Sequence, residues 1–211
     1  MAEQLIFCDF DGTILEEEIF HDLLRHFAPA ATSRILPQIL ALQISLHQGL
    51  SEILATIPSP RWPELERFVV DNSHLRAGFE EFLQALPGLG WSLLVVTGGF
   101  TRMVELVLAP LRGQIRAIHG LEVDLSGPFL RVYSPWEDAQ ELVVKRAIYA
   151  QYHPDAAICI GDSTTDLRLA RDCPRVFARD RLVEYLRAEG RPFTPFQDFY
   201  DILHALQEDR Q

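Results

Sequence analysis

Two aspartates directly follow the first apolar run of the chain. Leu5–Cys8 is a short β-type run, and positions 9–13 after it read Asp-Phe-Asp-Gly-Thr. Because side chains alternate along an extended strand, Asp9 and Asp11 lie on the same side of it. Two carboxylates this close repel each other unless a cation or a shared proton compensates. Such a pair can serve as nucleophile and acid–base, or it can be a turn that only ends the strand.

A hydroxyl and two glycines end a second apolar run. Trp91–Val96 is followed by Thr97, Gly98 and Gly99. The hydroxyl of Thr97 and the amide of Gly98 can together form a small anion-binding concavity. The alternative is an ordinary turn, which is the commoner reason for this tripeptide after a strand.

An acidic loop follows a third apolar run. Ala157–Ile160 precedes Gly161, and Asp162 and Asp166 stand four residues apart in the loop that comes next. Hard carboxylate oxygens beside a substrate phosphate suit Mg²⁺. Asp162 is placed to contact such an ion, and Asp166 either contacts it or orients loop amides. The alternative role of Asp166 is to favour a helix N-terminus electrostatically.

The fourth candidate is a lysine that would neutralise anionic charge. Lys145 lies in the amphipathic stretch Glu141–Gln151. A lysine there is typical of a solvated helix face. Its charge becomes informative only where something anionic must be neutralised nearby.

Short apolar runs and amphipathic stretches alternate along most of the chain. Continuous apolar runs of this length are typical of strands buried on both faces, and spacing of three to four residues indicates helices. The predicted strands are Leu5–Cys8, Trp91–Val96, Ala157–Ile160 and the weaker Arg175–Ala178. The predicted helices are Gly78–Leu86, Thr101–Leu108, Glu141–Gln151, Asp166–Arg171 and Leu182–Ala188. This alternation predicts an α/β fold with a Rossmann-like parallel sheet and helices on both faces. Since the ends of parallel strands meet at one edge, the candidate groups are expected to converge there.

A long helical segment interrupts the alternation after the first strand. Residues 15–76 contain no convincing strand, and they are more chain than a direct crossover needs. Helices are predicted at Ile19–Phe27, Ile35–His47, Leu50–Ile57 and Leu65–Val70. We therefore expect an all-helical cap at residues 15–76, inserted into a catalytic core of residues 1–14 and 77–211. Leu121–Asp124 and Phe129–Tyr133 are predicted to form a hairpin at the edge of the sheet.

Composition and charge exclude several classes of protein. Hydrophobic residues make up 48% of the 211 residues and charged residues 23%, which is typical of a globular enzyme rather than a disordered chain. The net charge of −11 repels polyanions, so neither nucleic acid nor an anionic membrane is expected as a partner. Three cysteines without a CxxC pair and the lack of a signal-peptide pattern predict a cytoplasmic location. The oligomeric state stays open.

Taken together, the four motifs resemble those of the haloacid dehalogenase (HAD) superfamily. Asp-x-Asp, Thr, Lys and Gly-Asp-x-x-x-Asp occur in the same order and at similar spacing across nearly the whole chain. The resemblance implies an Mg²⁺-dependent phosphatase. It implies that Asp9 attacks phosphorus to form an aspartyl-phosphate, and that Asp11 protonates the leaving oxygen and then activates water.

The resemblance also implies roles for the remaining motif residues. Thr97 and the Gly98 amide would hold the phosphoryl oxygens, and Lys145 would neutralise charge. The implied ligands of Mg²⁺ are Asp9, the carbonyl of Asp11, Asp162 and, in support, Asp166. A second carboxylate at position 11 argues against displacement of halogen from carbon, which needs no protonated leaving group.

The chain also resembles two subgroups of this superfamily. These resemblances bear on which small phosphate ester is its substrate. The insertion point and Thr-Gly-Gly-Phe at positions 97–100 are similar to those of the phosphoserine phosphatases. This resemblance implies that Glu18 would lie near the substrate amine. Phosphoserine phosphatases bind the carboxylate of the substrate through an arginine of the cap, and the only basic candidate for that role at positions 46–54 of this chain is His47. The phosphatases of methionine salvage, which act on a methylthiopentenyl phosphate, are similar at positions 27–29, 45–49, 76–79, 177–180 and 195–200. A broad-specificity phosphatase and a catalytically silent binding module of the same fold remain alternatives.

Overall fold

A seven-stranded mixed sheet forms the centre of the molecule in a computed structural model that describes residues 3–209. The strand order is β4-β3-β2-β1-β5-β6-β7, and every neighbouring pair is parallel except β3 and β4. The strands are β1 Gln4–Cys8, β2 Ser92–Phe100, β3 Ile115–Asp124, β4 Arg131–Tyr133, β5 Ala156–Gly161, β6 Arg175–Ala178 and β7 Thr194–Pro195. The predicted α/β fold class is confirmed, and so is the edge hairpin, which β3 and β4 form.

Ten α-helices of the described chain cover the sheet and fill the insertion after β1. They are α1 Ile19–Phe27, α2 Pro29–Leu40, α3 Leu46–Leu54, α4 Trp62–Asn72, α5 Phe79–Leu89, α6 Thr101–Val107, α7 Lys145–Tyr152, α8 Thr164–Ala170, α9 Asp180–Ala188 and α10 Phe199–Glu208. No helix among residues 3–209 combines the length and apolar character that crossing a membrane requires.

The register of the central strands aligns their carboxyl ends. Cys8 of β1 pairs with Val95 of β2 on one side and with Ile160 of β5 on the other. These strands are almost wholly buried and apolar, as their continuous hydrophobic runs predict. The residues that come next in each strand or loop therefore lie side by side at one edge of the sheet.

Several predicted boundaries are wrong. β3 begins at Ile115, six residues before the predicted hairpin strand, and its first half pairs in parallel with β2. That half reads Ile-Arg-Ala-Ile-His-Gly and is largely half-buried or exposed, so it lacks the apolar run of a central strand. The strand β7 and the helix α10 have no counterpart among the predicted elements.

The helices of the insertion also differ from their predicted limits. A single helix was expected over Ile35–His47, but α2 ends at Leu40 and α3 begins at Leu46. Between them, Leu42 adopts a left-handed φ of 57°, and the Ser45 side chain accepts a hydrogen bond from Gln48 N–H as an N-cap. The predicted helix Glu141–Gln151 begins only at Lys145.

Two antiparallel linkers connect the insertion to the rest of the molecule. Leu15 and Leu75 form a β-bridge. The Glu16 N–H donates to the His74 carbonyl at 3.0 Å, and the Arg76 N–H donates to the Ile14 carbonyl at 2.8 Å. We call residues 14–17 and 74–76 the hinge. Of the predicted segments 1–14, 77–211 and 15–76, residues 1–2 and 210–211 lie outside the described residues.

A second set of main-chain bonds ties the insertion to residues 125–144, which follow β3. The Ser59 N–H donates to the Pro128 carbonyl, and the Leu130 N–H donates to the Ile57 carbonyl, each at 3.0 Å. On α3, the His47 N–H donates to the Gln140 carbonyl at 2.9 Å. The insertion is therefore held at the hinge and along this segment.

Candidate active site

A buried ion-paired cluster lies at the carboxyl edge of the sheet. The Lys145 Nζ atom is 2.5 Å from Asp9 Oδ1 and 2.6 Å from Asp166 Oδ1, and all three side chains are nearly inaccessible to solvent. Asp9 follows β1, Lys145 begins α7 and Asp166 lies in α8. The structure thus brings together groups that are up to 157 positions apart in the sequence.

Three carboxylates of this cluster could share one cation. Within the described part of the chain, Asp9, Asp162 and Asp166 each offer an oxygen, and these atoms lie within 4.8 Å of one another. Burial raises the pKa of Asp162 to about 7, and the charges of Asp166 and Glu18 act in the same direction. Burial also raises the pKa of Asp9. Crowded hard oxygens that resist ionisation without a counter-charge fit a divalent cation such as Mg²⁺.

Lys145 compensates part of this negative charge. Burial lowers the pKa of Lys145, but the charges of Asp166 and Asp9 outweigh that effect and hold it above its usual range. The lysine is therefore an ammonium ion throughout the physiological range. One cation facing a cluster of carboxylates leaves the cluster anionic.

Asp166 organises the loop that carries Asp162. Its Oδ2 atom accepts hydrogen bonds from the N–H groups of Asp162 and Ser163, each at 3.2 Å. A Cβ atom on Gly161 would lie 2.4 Å from the Asp166 carboxyl carbon, so only glycine allows this approach. Asp166 can therefore fix Asp162 and Lys145 at the same time.

Asp11 lies close enough to Asp9 to feel its charge but has different hydrogen-bond partners. Its Oδ1 atom accepts a 2.9 Å hydrogen bond from the Phe20 N–H, at the start of the insertion. Its Oδ2 atom lies 3.4 Å from the Thr97 hydroxyl, which donates to it. Burial of the carboxyl group, followed by the charge of Asp9, raises the pKa of Asp11 to about 7. Asp11 can therefore both give and take a proton near neutral pH.

A sharp turn after Asp11 brings a fifth carboxylate to the cluster. Gly12 has a left-handed φ of 68°, and a Cβ atom there would lie 2.7 Å from Asp162 Oδ2 and 2.8 Å from Glu18 Oε1. The carboxylate of Glu18 therefore stands beside that of Asp162 across this glycine. Burial raises the pKa of Glu18.

The Thr97 loop closes the other side of the site. The Thr97 Oγ1 atom accepts a hydrogen bond from the Gly99 N–H at 2.9 Å. A Cβ atom on Gly98 would meet no atom within 4 Å, whereas one on Gly99 would lie 3.2 Å from Asp11 Oδ2. Open space thus adjoins Gly98, while the neighbouring Gly99 lies against Asp11.

Two further residues contact the site: Thr13, which belongs to the first motif, and Arg76, which the sequence indicates as either a hinge anchor or an ordinary surface charge. The Thr13 hydroxyl donates to Asp162 Oδ1 at 3.1 Å, and its place in the first motif was the available signal. Arg76 is buried and binds main-chain carbonyls of the turn after Asp11. The sequence offers no signal for such contacts beyond the position of Arg76 at the end of the insertion.

The raised pKa of Asp11 predicts a pH-dependent stability for the metal-free protein. The folded chain keeps a proton on Asp11 that the unfolded chain loses, because the unfolded pKa is about 3.9. The free energy of unfolding therefore falls as the pH rises from about 4 to about 7. We expect Asp11→Asn to flatten this fall in urea titrations, leaving the part due to the other carboxyl groups whose pKa is raised: Asp9, Glu18 and Asp162. Asp124→Asn is the control, since its exposed carboxyl has a lowered pKa and titrates below this range. Equal slopes in the wild type and Asp11→Asn would contradict the prediction.

Comparisons with known proteins identify the family of the chain. Residues 6–171 match the family model of the haloacid dehalogenase-like hydrolases. The chain belongs to this family. Within the HAD-like hydrolases it is similar to curated proteins named 2-hydroxy-3-keto-5-methylthiopentenyl-1-phosphate phosphatase. One, from Microcystis aeruginosa, is 39% identical over 96% of this chain and 97% of its own length. Another, from Bacillus cytotoxicus, is 33% identical over 96% and 95%.

A solved HAD-like structure has the same fold. It is described as a phospho-aspartyl intermediate analogue of phosphoserine phosphatase, and it superimposes with a TM-score of 0.73. The match covers 97% of this chain and 99% of that one at 17% identity. At this identity the likeness establishes the shared fold of the two HAD-like chains.

Proposed function

We propose that the chain hydrolyses the phosphate ester of a small metabolite through a covalent intermediate on Asp9. The observation that carries this proposal is the position of Asp9, which is held by Lys145 and lies close enough to Asp11 for its charge to raise the Asp11 pKa. Phosphoryl transfer depends mainly on in-line positioning and on compensation of charge. A nucleophile beside an ammonium ion and a carboxyl group of pKa about 7 meets both demands.

In the first step, an Asp9 carboxylate oxygen attacks phosphorus and the bond from phosphorus to the ester oxygen breaks. Asp11, in its protonated form, gives its proton to that departing oxygen. The products are the free alcohol and an aspartyl-phosphate, and Asp11 is left as a carboxylate.

In the second step, Asp11 takes a proton from water as the water oxygen attacks phosphorus. The bond between phosphorus and the Asp9 oxygen breaks, inorganic phosphate leaves, and both aspartates return to their starting states. A carboxyl group whose pKa lies near the working pH suits both directions of transfer.

Three groups are proposed to bind the phosphoryl oxygens: the Thr97 hydroxyl, the Gly98 amide and Lys145. Mg²⁺, when bound, supplies positive charge to these oxygens as charge moves during transfer. The residues that would hold it are Asp9, the carbonyl of Asp11, and Asp162, with Asp166 in support. The buried acid trio supports this assignment.

We expect Asp162→Asn to weaken the dependence of both stability and turnover on Mg²⁺. For the wild type after removal of metal by chelation, added Mg²⁺ should raise the melting temperature because it binds the folded state alone. In Asp162→Asn the rise should need at least about tenfold more Mg²⁺, the loss typical of a disrupted metal site. Scanning calorimetry at increasing Mg²⁺ measures the rise in melting temperature, and phosphate release at the same Mg²⁺ concentrations measures turnover. Asp172→Asn, at an exposed ion pair, is the control, and an identical Mg²⁺ response in all three proteins would refute the assignment.

Residues 15–76 are proposed to act as a cap over a core of residues 1–14 and 77–211. Closing a cap limits bulk water around the ester while Asp9 attacks phosphorus, which strengthens the charge interactions in the site. Glu18 is the cap residue proposed to face the substrate, since its carboxylate adjoins Asp162. A cytoplasmic location and the lack of nucleic-acid and membrane partners stay predictions of the sequence.

The proposed substrate is 2-hydroxy-3-keto-5-methylthiopentenyl 1-phosphate of methionine salvage. The names of two relatives that cover nearly the whole chain support it. Phosphoserine is the second candidate, because the carboxylate of Glu18 suits a substrate ammonium group.

A panel of phosphorylated metabolites ranked by kcat/KM tests the substrate. The panel contains the methylthiopentenyl ester, phosphoserine and a generic aryl phosphate. We expect the methylthiopentenyl ester to lead. A ranking led by phosphoserine would overturn that choice, and a flat ranking would indicate broad specificity. No turnover of any ester with Mg²⁺ present would favour the silent binding module instead.

A further inference from the structure

The guanidinium group of Arg76 lies behind the turn that carries Asp11. Arg76 is 8% exposed. Its Nε atom donates to the Thr13 carbonyl, and its Nη2 atom donates to the carbonyls of Gly12 and Leu15, each at 2.8 Å. Three charge-assisted bonds to consecutive parts of one turn fix its peptide planes.

This turn needs external support because its backbone is irregular. Gly12 has a left-handed φ of 68°, between Asp11 with a φ of −68° and ψ of 133° and the start of the hinge. Its own main chain contributes two bonds, from the Gly12 N–H to the Glu17 carbonyl and from the Leu15 N–H to the Phe10 carbonyl, each at 2.9 Å. The carbonyls of residues 12, 13 and 15 take their further support from Arg76.

Arg76 also belongs to the hinge. Its N–H donates to the Ile14 carbonyl at 2.8 Å. The main chain and the side chain of Arg76 therefore both bind the linker that leads from the turn into the insertion. A guanidinium ion suits the position because its planar fork of five donors reaches several carbonyls at once, whereas a lysine ammonium is a point donor.

We propose that Arg76 is a positioning residue that clamps residues 12–15 and thereby fixes Asp11 relative to Asp9. The inference rests on the proposed function. Arg76 contacts neither substrate nor reacting atoms in this arrangement. It acts by holding the main chain beside Asp11, and a misplacement of the order of 1 Å at a reacting group can cost a factor of about 100 in rate.

The test compares Arg76→Ala, Arg76→Lys and Arg76→Gln with the wild type on an aryl phosphate at saturating Mg²⁺. Arg76→Ala is expected to lower kcat by about 10- to 100-fold while KM changes by less than about threefold, since the phosphate-binding groups remain. Arg76→Lys keeps the charge without the fork and is expected to recover only part of the loss. Added guanidinium ion, below denaturing concentrations, should raise kcat of Arg76→Ala and leave the wild type unchanged.

Hydrogen exchange gives a readout that does not depend on turnover. The amides of Gly12 and Leu15 should exchange faster in Arg76→Ala, while those of β5 keep their wild-type rates. Arg112→Ala is the matched control, because it removes an arginine-to-carbonyl bond to Ile115 at the opposite end of the sheet. It should leave kcat and these amides unchanged.

Three results would overturn the clamp. One is a kcat of Arg76→Ala and Arg76→Gln within about twofold of the wild type. Another is full activity in Arg76→Lys, which would mean that charge alone suffices. The third is a loss of kcat that matches the unfolded fraction at the assay temperature. A wild type without turnover on any ester would instead refute the proposed function.

Discussion

Asp9→Asn is expected to abolish ester hydrolysis. The amide cannot form an aspartyl-phosphate, and removing a covalent nucleophile from comparable sites costs at least about 10⁴-fold in kcat. Release of inorganic phosphate from an aryl phosphate, with Mg²⁺ present, measures the loss. Intact-protein mass spectrometry after a short reaction should show phosphate addition in the wild type and none in the variant.

The stability of Asp9→Asn separates this loss from misfolding. Burial raises the pKa of Asp9, so its ionised form is costly in the folded chain. Replacing it with a neutral amide should leave the melting temperature of the metal-free protein equal or higher, because Lys145 keeps Asp166 as a partner. Asp172→Asn, on the exposed ion pair with Arg146, is the control for activity. Residual turnover above about one per cent of the wild type would exclude Asp9 as the nucleophile.

Lys145→Met is expected to reduce both stability and turnover. It removes the ammonium that binds Asp9 and Asp166 at 2.5 and 2.6 Å and leaves their carboxylates buried without a cation. Breaking a buried ion pair in this way costs about 3–5 kcal/mol. For a chain of this size that corresponds to a melting temperature lower by roughly 6–20 °C. Loss of the charge at the phosphoryl group should lower kcat by about 10²–10³-fold.

The pH dependence of the free energy of unfolding identifies why Lys145→Met is less stable than the wild type. Burial raises the pKa of Asp9, so in this variant Asp9 can take up a proton as the pH falls. The stability deficit should therefore shrink at lower pH, and it should also shrink when Mg²⁺ is added. Arg146→Met is the neighbouring control. Its ion pair with Asp172 is largely exposed and is expected to contribute less than about 1 kcal/mol. A deficit that is the same at all pH values and with Mg²⁺ would point to lost packing rather than lost charge.

The sequence predicts best where a buried strand ends. The apolar runs of β1, β2 and β5 predict parallel neighbours, and their ends bring Asp9, Thr97 and Asp162 to one edge. Strand order and register cannot be read from such runs alone. The resemblance to the HAD superfamily supplied the expectation that Lys145 joins them, and the structure shows the partners.

What the sequence does not predict depends on contacts without a residue pattern. Arg76 binds main-chain carbonyls, which every residue has, so no side-chain motif announces it. The first half of β3 is half-exposed and polar at Arg116 and His119, so it carries no buried-strand signal. The break between α2 and α3 depends on the left-handed Leu42, a conformation that leucine rarely adopts.

The bonds between the insertion and residues 125–144 bear on how the enzyme admits its substrate. A swing of all four inserted helices about the hinge would tear the main-chain bonds at His47, Ile57 and Ser59, unless residues 125–144 travelled along. If the proposed cap moves about the hinge, the moving unit would therefore include part of residues 125–144 as well as the insertion. Shortening the loop near Pro128 would then change the rate at which inorganic phosphate is released, although this loop does not carry the residues that act on phosphorus.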